Sequence, residues 1–220
     1  MVRRAVRAKR TPLSRERIPQ TAVVMADAQG IDSLTMRGLA NEPQVEAMSL
    51  YNHVANKDDL LDGMIELVAA EIDEPDENAG WKAATRQRAI AAHDALLRHP
   101  WSSILWVSRM NVGPARMRQM DGMLRELREA RFSPGLLDVA FHTLQNHIVG
   151  HALQASSFPF DAEDLPALSA RYLEGFPTEE YPDLAAHIRH HMDQPAGTVS
   201  SFAFGLDSIL DGLERARTGG

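Results

Sequence analysis

The chain has 220 residues, no cysteine and a net charge of −7, with 44% apolar and 24% charged residues. That length and apolar fraction suffice to bury a core, which excludes wholesale disorder. The missing thiol excludes disulfides, cysteine-bound metal centres and a cysteine nucleophile.

The charge is uneven along the chain. Residues 1–17 carry Arg3, Arg4, Arg7, Lys9, Arg10, Arg15 and Arg17 against Glu16, a local +6 that leaves −13 on the rest. An acidic body repels polyanions, so the basic end is where a phosphate backbone is expected to meet the protein. The longest apolar runs, Ala22–Ala26 and Ile104–Val107, fall far short of the ~18 residues a membrane span needs. No apolar stretch follows the arginine-rich start, as a secretory signal requires, so a cytoplasmic protein without a membrane partner is expected.

Alternation of β-branched residues never persists, whereas apolar residues recur at i, i+3, i+4 and i+7, so the expected fold is all-α. A basic flexible arm, 1–13, precedes a helix running from a Ser14 cap to Ala28 and stopped by Gly30 in a left-handed position. Pro19, five places past that cap, predicts a late start or a bend. A helix capped by Thr35 follows from about Met36 to Asn41, and another from about Ala47 to His53. Asn56 caps a long helix with Asp59 at its third position and acids in its first turn, where they suit its dipole. These elements form a first unit, 14–73, which the Pro, Gly and acid cluster at 74–80 closes. Helices are then expected at about 81–98, 101–109, 114–130, 134–157, 165–174, 179–192 and 198–216, each break marked by Pro or Gly, in a larger helical unit over 74–220.

The segments Leu34-Thr35-Met36-Arg37-Gly38-Leu39-Ala40 and, four residues later, Val45 to Lys57 pack two short helices around a tight turn. That is a helix-turn-helix. Its second helix enters the DNA major groove with its side chains on base edges, while the first helix and the flanks hold phosphates. Leu39, Ala40, Val45, Leu50 and Val54 supply a small core. Ala47, Met48, Ser49, Tyr51, Asn52 and His53 are left facing outward, suited to thymine methyls, sugars and phosphates.

Over residues 14–70 this pattern, L-T-x-R-x-L-A then V then S-L-Y-x-H-V-x-N-K, resembles the tetracycline-repressor (TetR) family of bacterial transcriptional regulators. The resemblance implies a double-stranded operator as partner. It implies that Thr35, Met36 and Arg37 lie near the DNA backbone, that Ala47, Met48, Ser49 and Asn52 read bases, and that Tyr51, His53 and Lys57 grip phosphates. Lys57 heads a helix, where its ammonium adds to an anion-binding N-terminus. The chain departs from the family at Pro43-Gln44, where Leu-Gly is usual. The turn loses a leucine and a residue that accepts left-handed geometry, which predicts a reshaped turn. The departure keeps open an alternative, a helical sensor or partner-binding protein without specific DNA binding.

Residues 81–157 are similar to the C-terminal domain of the tetracycline repressors through Leu97-Arg98-His99-Pro100-Trp101, Val112-Gly113-Pro114 and Arg131-Phe132-Ser133-Pro134. This resemblance implies an effector cavity and a homodimer whose last long helices pair into a four-helix bundle. Two stripes suit that pairing: Leu137, Phe141, Leu144, Ile148 and Ala152, and Val199, Phe202, Leu206, Ile209, Leu210 and Leu213. Trp106, Met110, Met117, Met120, Met123 and Phe141 are bulky or adaptable apolar groups on helices that enclose the family's cavity. Gln145 lies one turn after Phe141 as a polar anchor. A mostly apolar pocket for a small, largely apolar effector is expected, and with it a ligand-responsive repressor released from its operator.

Registering the chain by His99 places Trp106 where tetracycline-binding members carry a metal-binding histidine, so recognition of magnesium–tetracycline is not expected. No metal or cofactor is expected either. His147 and His151 share a helix face, and His187, His190 and His191 cluster, but neither group has a supporting HExxH pattern. No Glu has a His three residues on, and GxSxG, P-loop and dinucleotide motifs are missing, so an enzyme is not expected.

Overall fold

The computed structural model of the chain describes residues 17–42, 50, 54–110, 112–157, 165–193 and 200–219, without the side chains of 165–166 and 191–193. Among the described residues, ten α-helices and one 3-10 turn make up all the regular structure. Helix α1 (Arg17–Gln29) buries Ile18, Ala22, Val23 and Ala26 on one stripe. It ends at Gly30, whose φ of 79° a side chain adopts only with strain. Pro19 lies inside α1, which continues unbroken to Gln29, and Ser14 with its cap lies outside the described residues. A 3-10 turn, Ile31–Ser33, leads into α2 (Met36–Ala40). There the Thr35 side chain accepts from the Gly38 N–H at 3.0 Å, the N-cap that its residue type predicts.

In α3 (Lys57–Ala70) the Asn56 side chain accepts from the Asp59 N–H at 2.9 Å, and Asp59 accepts in return from the Ala55 N–H at 3.0 Å. The start of this helix is thereby fixed from both sides. The remaining helices are α4 (Trp81–Arg98), α5 (Ser102–Ser108), α6 (Pro114–Glu129), α7 (Pro134–Ser157), α8 (Leu165–Glu174), α9 (Pro182–Asp193) and α10 (Ser201–Thr218). They follow the expected spans closely. Helix α9 starts at Pro182 rather than near 179, because a proline is tolerated at a first helical position and not one turn inside.

Helix α3 packs on α1 and on α4, α5 and α6, while α7 is flanked by α4, α6 and α10. One cluster of buried residues runs without a break from Ile18 to Leu213. Phe141, Leu144, Ile148 and Ala152 of α7 belong to it, as do Phe202, Leu206, Leu210 and Leu213 of α10. These members of the two stripes are therefore covered inside one chain, while Leu137 and Ile209 are only partly buried. Periodicity shows that a face is buried, not which neighbour buries it. The outward faces of α7 and α10 still carry large apolar groups, Val139 and Phe204. Val199 lies outside the described residues.

The histidines of α4 and α7 close around the start of α10. The Phe202 ring lies between His93 and His147, at centroid distances of 3.7 and 4.9 Å and with interplanar angles of 10° and 6°. His93 Nε2 is 2.9 Å from His151 Nδ1, and His151 Nε2 is 2.9 Å from Ser201 Oγ. His147 Nε2 donates to the Phe202 carbonyl at 2.9 Å. Burial pushes His93 below its ordinary pKa; nearby Asp94 opposes the shift, and His151 and His147 add to it. Burial also lowers His151, with a further push from His147.

Both rings are therefore held neutral in the fold, while the unfolded chain takes up their protons near pH 6.5. The stability they contribute is present above that pH and is lost as pH falls below it. The urea midpoint is expected to drop between pH 7.5 and pH 5, and the drop to shrink in a His151→Gln variant. An equal drop in both proteins would remove His151 from the account.

Candidate DNA-binding head and effector chamber

Of the residues expected to meet DNA, Thr35, Met36, Arg37 and Lys57 are described. Thr35 and Arg37 are exposed at the start of α2, Met36 packs partly against the core, and Lys57 is exposed at the first position of α3. Leu50 and Val54 are buried beside Leu34 and Leu39 in the same core cluster, as the small core of the motif requires. Ala47, Met48, Ser49, Tyr51, Asn52 and His53 lie outside the described residues, as does the Pro43-Gln44 turn.

Helix α3 is tied to the body along its length by acids one turn apart. Arg109, beyond the end of α5, donates to Asp62 and, at 3.1 Å, to Asp58. Glu66 accepts from the Ala115 N–H and, at 3.3 Å, from the Arg116 N–H, so it caps the first turn of α6. Just past α3, Glu71 holds Arg98 at 3.0 Å and His99 Nε2 at 3.1 Å. The other ring nitrogen of His99 faces Asp27 of α1 at 2.9 Å, and the Trp101 indole donates to the same Asp27 oxygen at 2.7 Å. The signal for this clamp was present in the sequence: Asp58, Asp62 and Glu66 recur at i, i+4 and i+8 on one helix face.

Below the end of α3 lies a small chamber of about 20 Å³. Trp106, Met120 and Gln145 converge on it from α5, α6 and α7, together with Met123 and with Ile72 from beyond α3. Its polar edge is Arg88 and Gln119, which the sequence reading did not single out. Trp106 is held in place by Arg116, whose guanidinium carbon is 4.9 Å from the ring centroid and which donates to the Trp106 carbonyl at 2.5 Å. Phe141 is buried elsewhere in the core. Met110 and Met117, 95% and 52% exposed, do not line the chamber. Among the described residues the Gln145 amide has only the Met123 sulfur, at 4.0 Å, for company. A volume of this size holds about one water, so an effector fits only if the helices move apart.

Arg88 is 2% exposed. It donates to Glu126 through Nε and Nη2 at 2.9 and 2.8 Å, to Glu74 at 2.8 Å and to Gln119 at 2.6 Å. Burial opposes its charge, but the hydrogen bonds to Glu74 and Glu126 outweigh that and hold its pKa above the ordinary value. Gln119 in turn donates to the Ile72 carbonyl at 2.9 Å. The chamber wall and the segment leaving α3 therefore share one hydrogen-bond network.

Helices capped at Thr35 and Asn56 on either side of the segment expected to read DNA, the second of them clamped onto a chambered helical body, fit DNA-binding regulators that carry head and sensor in one polypeptide. The chain belongs to the TetR family of transcriptional regulators, whose members are not enzymes; residues 74–217 match the family described as Tetracyclin repressor-like, C-terminal domain. It is 30% identical to the HTH-type transcriptional repressor DrrR1 of Streptomyces coeruleorubidus over 227 residues, 96% of this chain and 81% of that protein. It is 28% identical to the tetracycline repressor protein class G of Vibrio anguillarum, over 94% of this chain and 96% of that one. Among solved structures it resembles the Streptomyces coelicolor TetR family protein ActR in complex with (S)-DNPA. There the TM-score is 0.73 at 28% identity, over 94% of this chain and 100% of that one. Among the described residues no helix is long and apolar enough to cross a membrane, and no group of three or more His, Asp or Glu side chains is placed to hold a metal ion.

Proposed function

We propose that this protein is a homodimeric, operator-binding repressor released from DNA by a small, largely apolar molecule. Residues 1–13 form a basic arm, 14–73 the reading head, and 74–220 the effector and dimerisation unit. The observation that carries this reading is the span of α3. Lys57 opens the helix at the head, and Ile72, two residues past its end, lines the chamber. Its 14 residues make a rod of about 20 Å, so an expanding chamber tilts the head that the rod carries. The effector contacts are Trp106, Met120 and Gln145; Met110, Met117 and Phe141 are left out of the site. The outward faces of α7 and α10, with Val139 and Phe204, form the dimer contact.

In the head, Ala47, Met48, Ser49 and Asn52 read bases, while Thr35, Met36, Arg37, Tyr51, His53 and Lys57 hold the backbone. The test is selection of bound duplexes from a random pool, followed by affinity measurements on the selected site. A twofold dimer is expected to select a near-palindrome with half-sites about one helical turn apart. Lys57→Ala is expected to weaken all duplexes by a similar factor, about fivefold, and Asn52→Ala to change which sequence is preferred. A sequence-selective effect at Lys57 would reverse the two roles. Failure to select any sequence would favour a sensor without specific DNA binding.

A further inference from the structure

Behind the chamber lies an open cleft of about 750 Å³ between the 74–79 segment, the start of α4 and α6. Arg88 is the one residue that lines both cavities. Its guanidinium lies against the backbone of α6 at Gly122, where an added Cβ would sit 2.6 Å from Nη2 and 2.8 Å from Cζ. A glycine inside a helix is unfavourable by about 1 kcal/mol against alanine, and here it makes room for this one group.

The two cavities impose opposite charge filters. The cleft is lined by Glu74, Asp76, Glu77, Asp121, Glu126 and Glu129 against Arg88, Arg118 and Arg125, so it disfavours anions. The chamber holds one charge, Arg88, and disfavours cations. A neutral molecule passes both. Of the five guanidinium N–H groups, four are engaged, which leaves one on Nη1 without a partner among the described residues. Gln145 faces the same space with an amide that, among the described residues, bonds only to sulfur.

We propose that Arg88 is the gate between cleft and chamber and the residue that selects the effector as a neutral apolar molecule bearing a carbonyl-type acceptor, admitted through the cleft. This rests on the reading of the chamber as the effector site. Occupancy draws the guanidinium toward the ligand's acceptor and away from Glu74, and so loosens the segment that follows α3.

The full chain is titrated by calorimetry with three naphthalenes of one shape. These are 2-acetylnaphthalene, neutral with an acceptor; 2-isopropenylnaphthalene, neutral without one; and 2-naphthoate, an anion. The ketone is expected to bind about tenfold tighter than the alkene, the value of one hydrogen bond from a charged donor, and the anion more weakly than both, because Glu74 and Glu126 already outweigh the one positive charge of Arg88. Gly122→Ala, which unseats the guanidinium, is expected to bring ketone and alkene within about twofold. Glu74→Ala, at an exposed position that removes one hold on the gate, is expected to speed the association of both.

Met120→Trp fills the chamber and is expected to abolish binding; Ala92→Leu serves if that variant does not fold. Binding that survives the filled chamber would overturn the chamber reading itself. If filling abolishes binding but the three ligands bind alike, or the ketone preference survives Gly122→Ala, the chamber stands and the role of Arg88 falls. That role also falls if none of the three binds the unaltered protein.

Discussion

Replacing Arg88 by methionine is expected to cost about 3–5 kcal/mol of stability, the penalty for leaving one partner of a buried ion pair alone. The partner left behind is Glu126, whose side chain is 10% exposed and whose Oε1 takes two hydrogen bonds from Arg88. Among the described residues its other oxygen keeps only the Thr85 hydroxyl, at 3.2 Å. The double variant Arg88→Met/Glu126→Leu is expected to recover most of the loss. About 1 kcal/mol should remain, because the buried Thr85 hydroxyl then lacks its acceptor. Urea unfolding of the three proteins at one protein concentration measures both numbers. A single-variant loss below about 1 kcal/mol would mean that water from the cleft reaches Glu126 and solvates it. The pair would then be a surface contact and not a buried one.

The Arg88 network and the acidic edge of α3 do different work. The edge holds the rod from outside through Arg109 and the α6 N-terminus, in contacts whose members are partly exposed. The contact to Asp58, open to solvent on the acid's side, contributes little, whereas Arg109 and Asp62 are both 16% exposed and make the firmer hold. The network reaches the rod from inside, through Gln119 on the Ile72 carbonyl and Arg88 on Glu74. A tenfold loss of operator affinity needs a coupling of ~1.4 kcal/mol, within the reach of one such hydrogen bond. By reciprocity, operator DNA must weaken the effector by the same factor.

Much of this arrangement was legible in the sequence, because helices announce their ends chemically. Thr35 and Asn56 cap the helices they were expected to cap, Gly30 takes the left-handed φ, and the Pro and Gly breaks fall between α4 and α7 as expected. Tertiary roles were less legible. In Lys82, Arg86 and Arg88, three cations stand within seven residues of α4, and residue type alone does not tell them apart. Two of them do pair at the surface, with Asp211 and Asp207. Arg88 differs because it falls three residues after Thr85 and four before Ala92, on the side that α4 turns inward; register held the clue where residue type did not. The stripes of α7 and α10 failed in the other direction. An apolar stripe looks the same whether its own chain or a second one covers it.

The two phenylalanines near the start of α10 turn that ambiguity into an experiment. Phe202 is buried between two imidazoles, whereas Phe204 is 69% exposed on the opposite side of the helix. Phe202→Ala is expected to cost about 3–5 kcal/mol, the transfer free energy of the ring together with the cavity it leaves. Water admitted there restores hydration to His93 and His151, so the loss of stability on acidification from pH 7.5 to pH 5 is expected to diminish in the same variant. Phe204→Ala is expected to leave the stability of the single chain within about 0.5 kcal/mol and to weaken self-association instead. The two effects separate by concentration, since only a change at a dimer contact alters how the unfolding midpoint depends on protein concentration. If Phe204→Ala leaves the association constant unchanged in sedimentation, the dimer contact lies on another face. If Phe202→Ala costs under about 1 kcal/mol, the histidines close over the gap, and the stacked rings do not anchor α10.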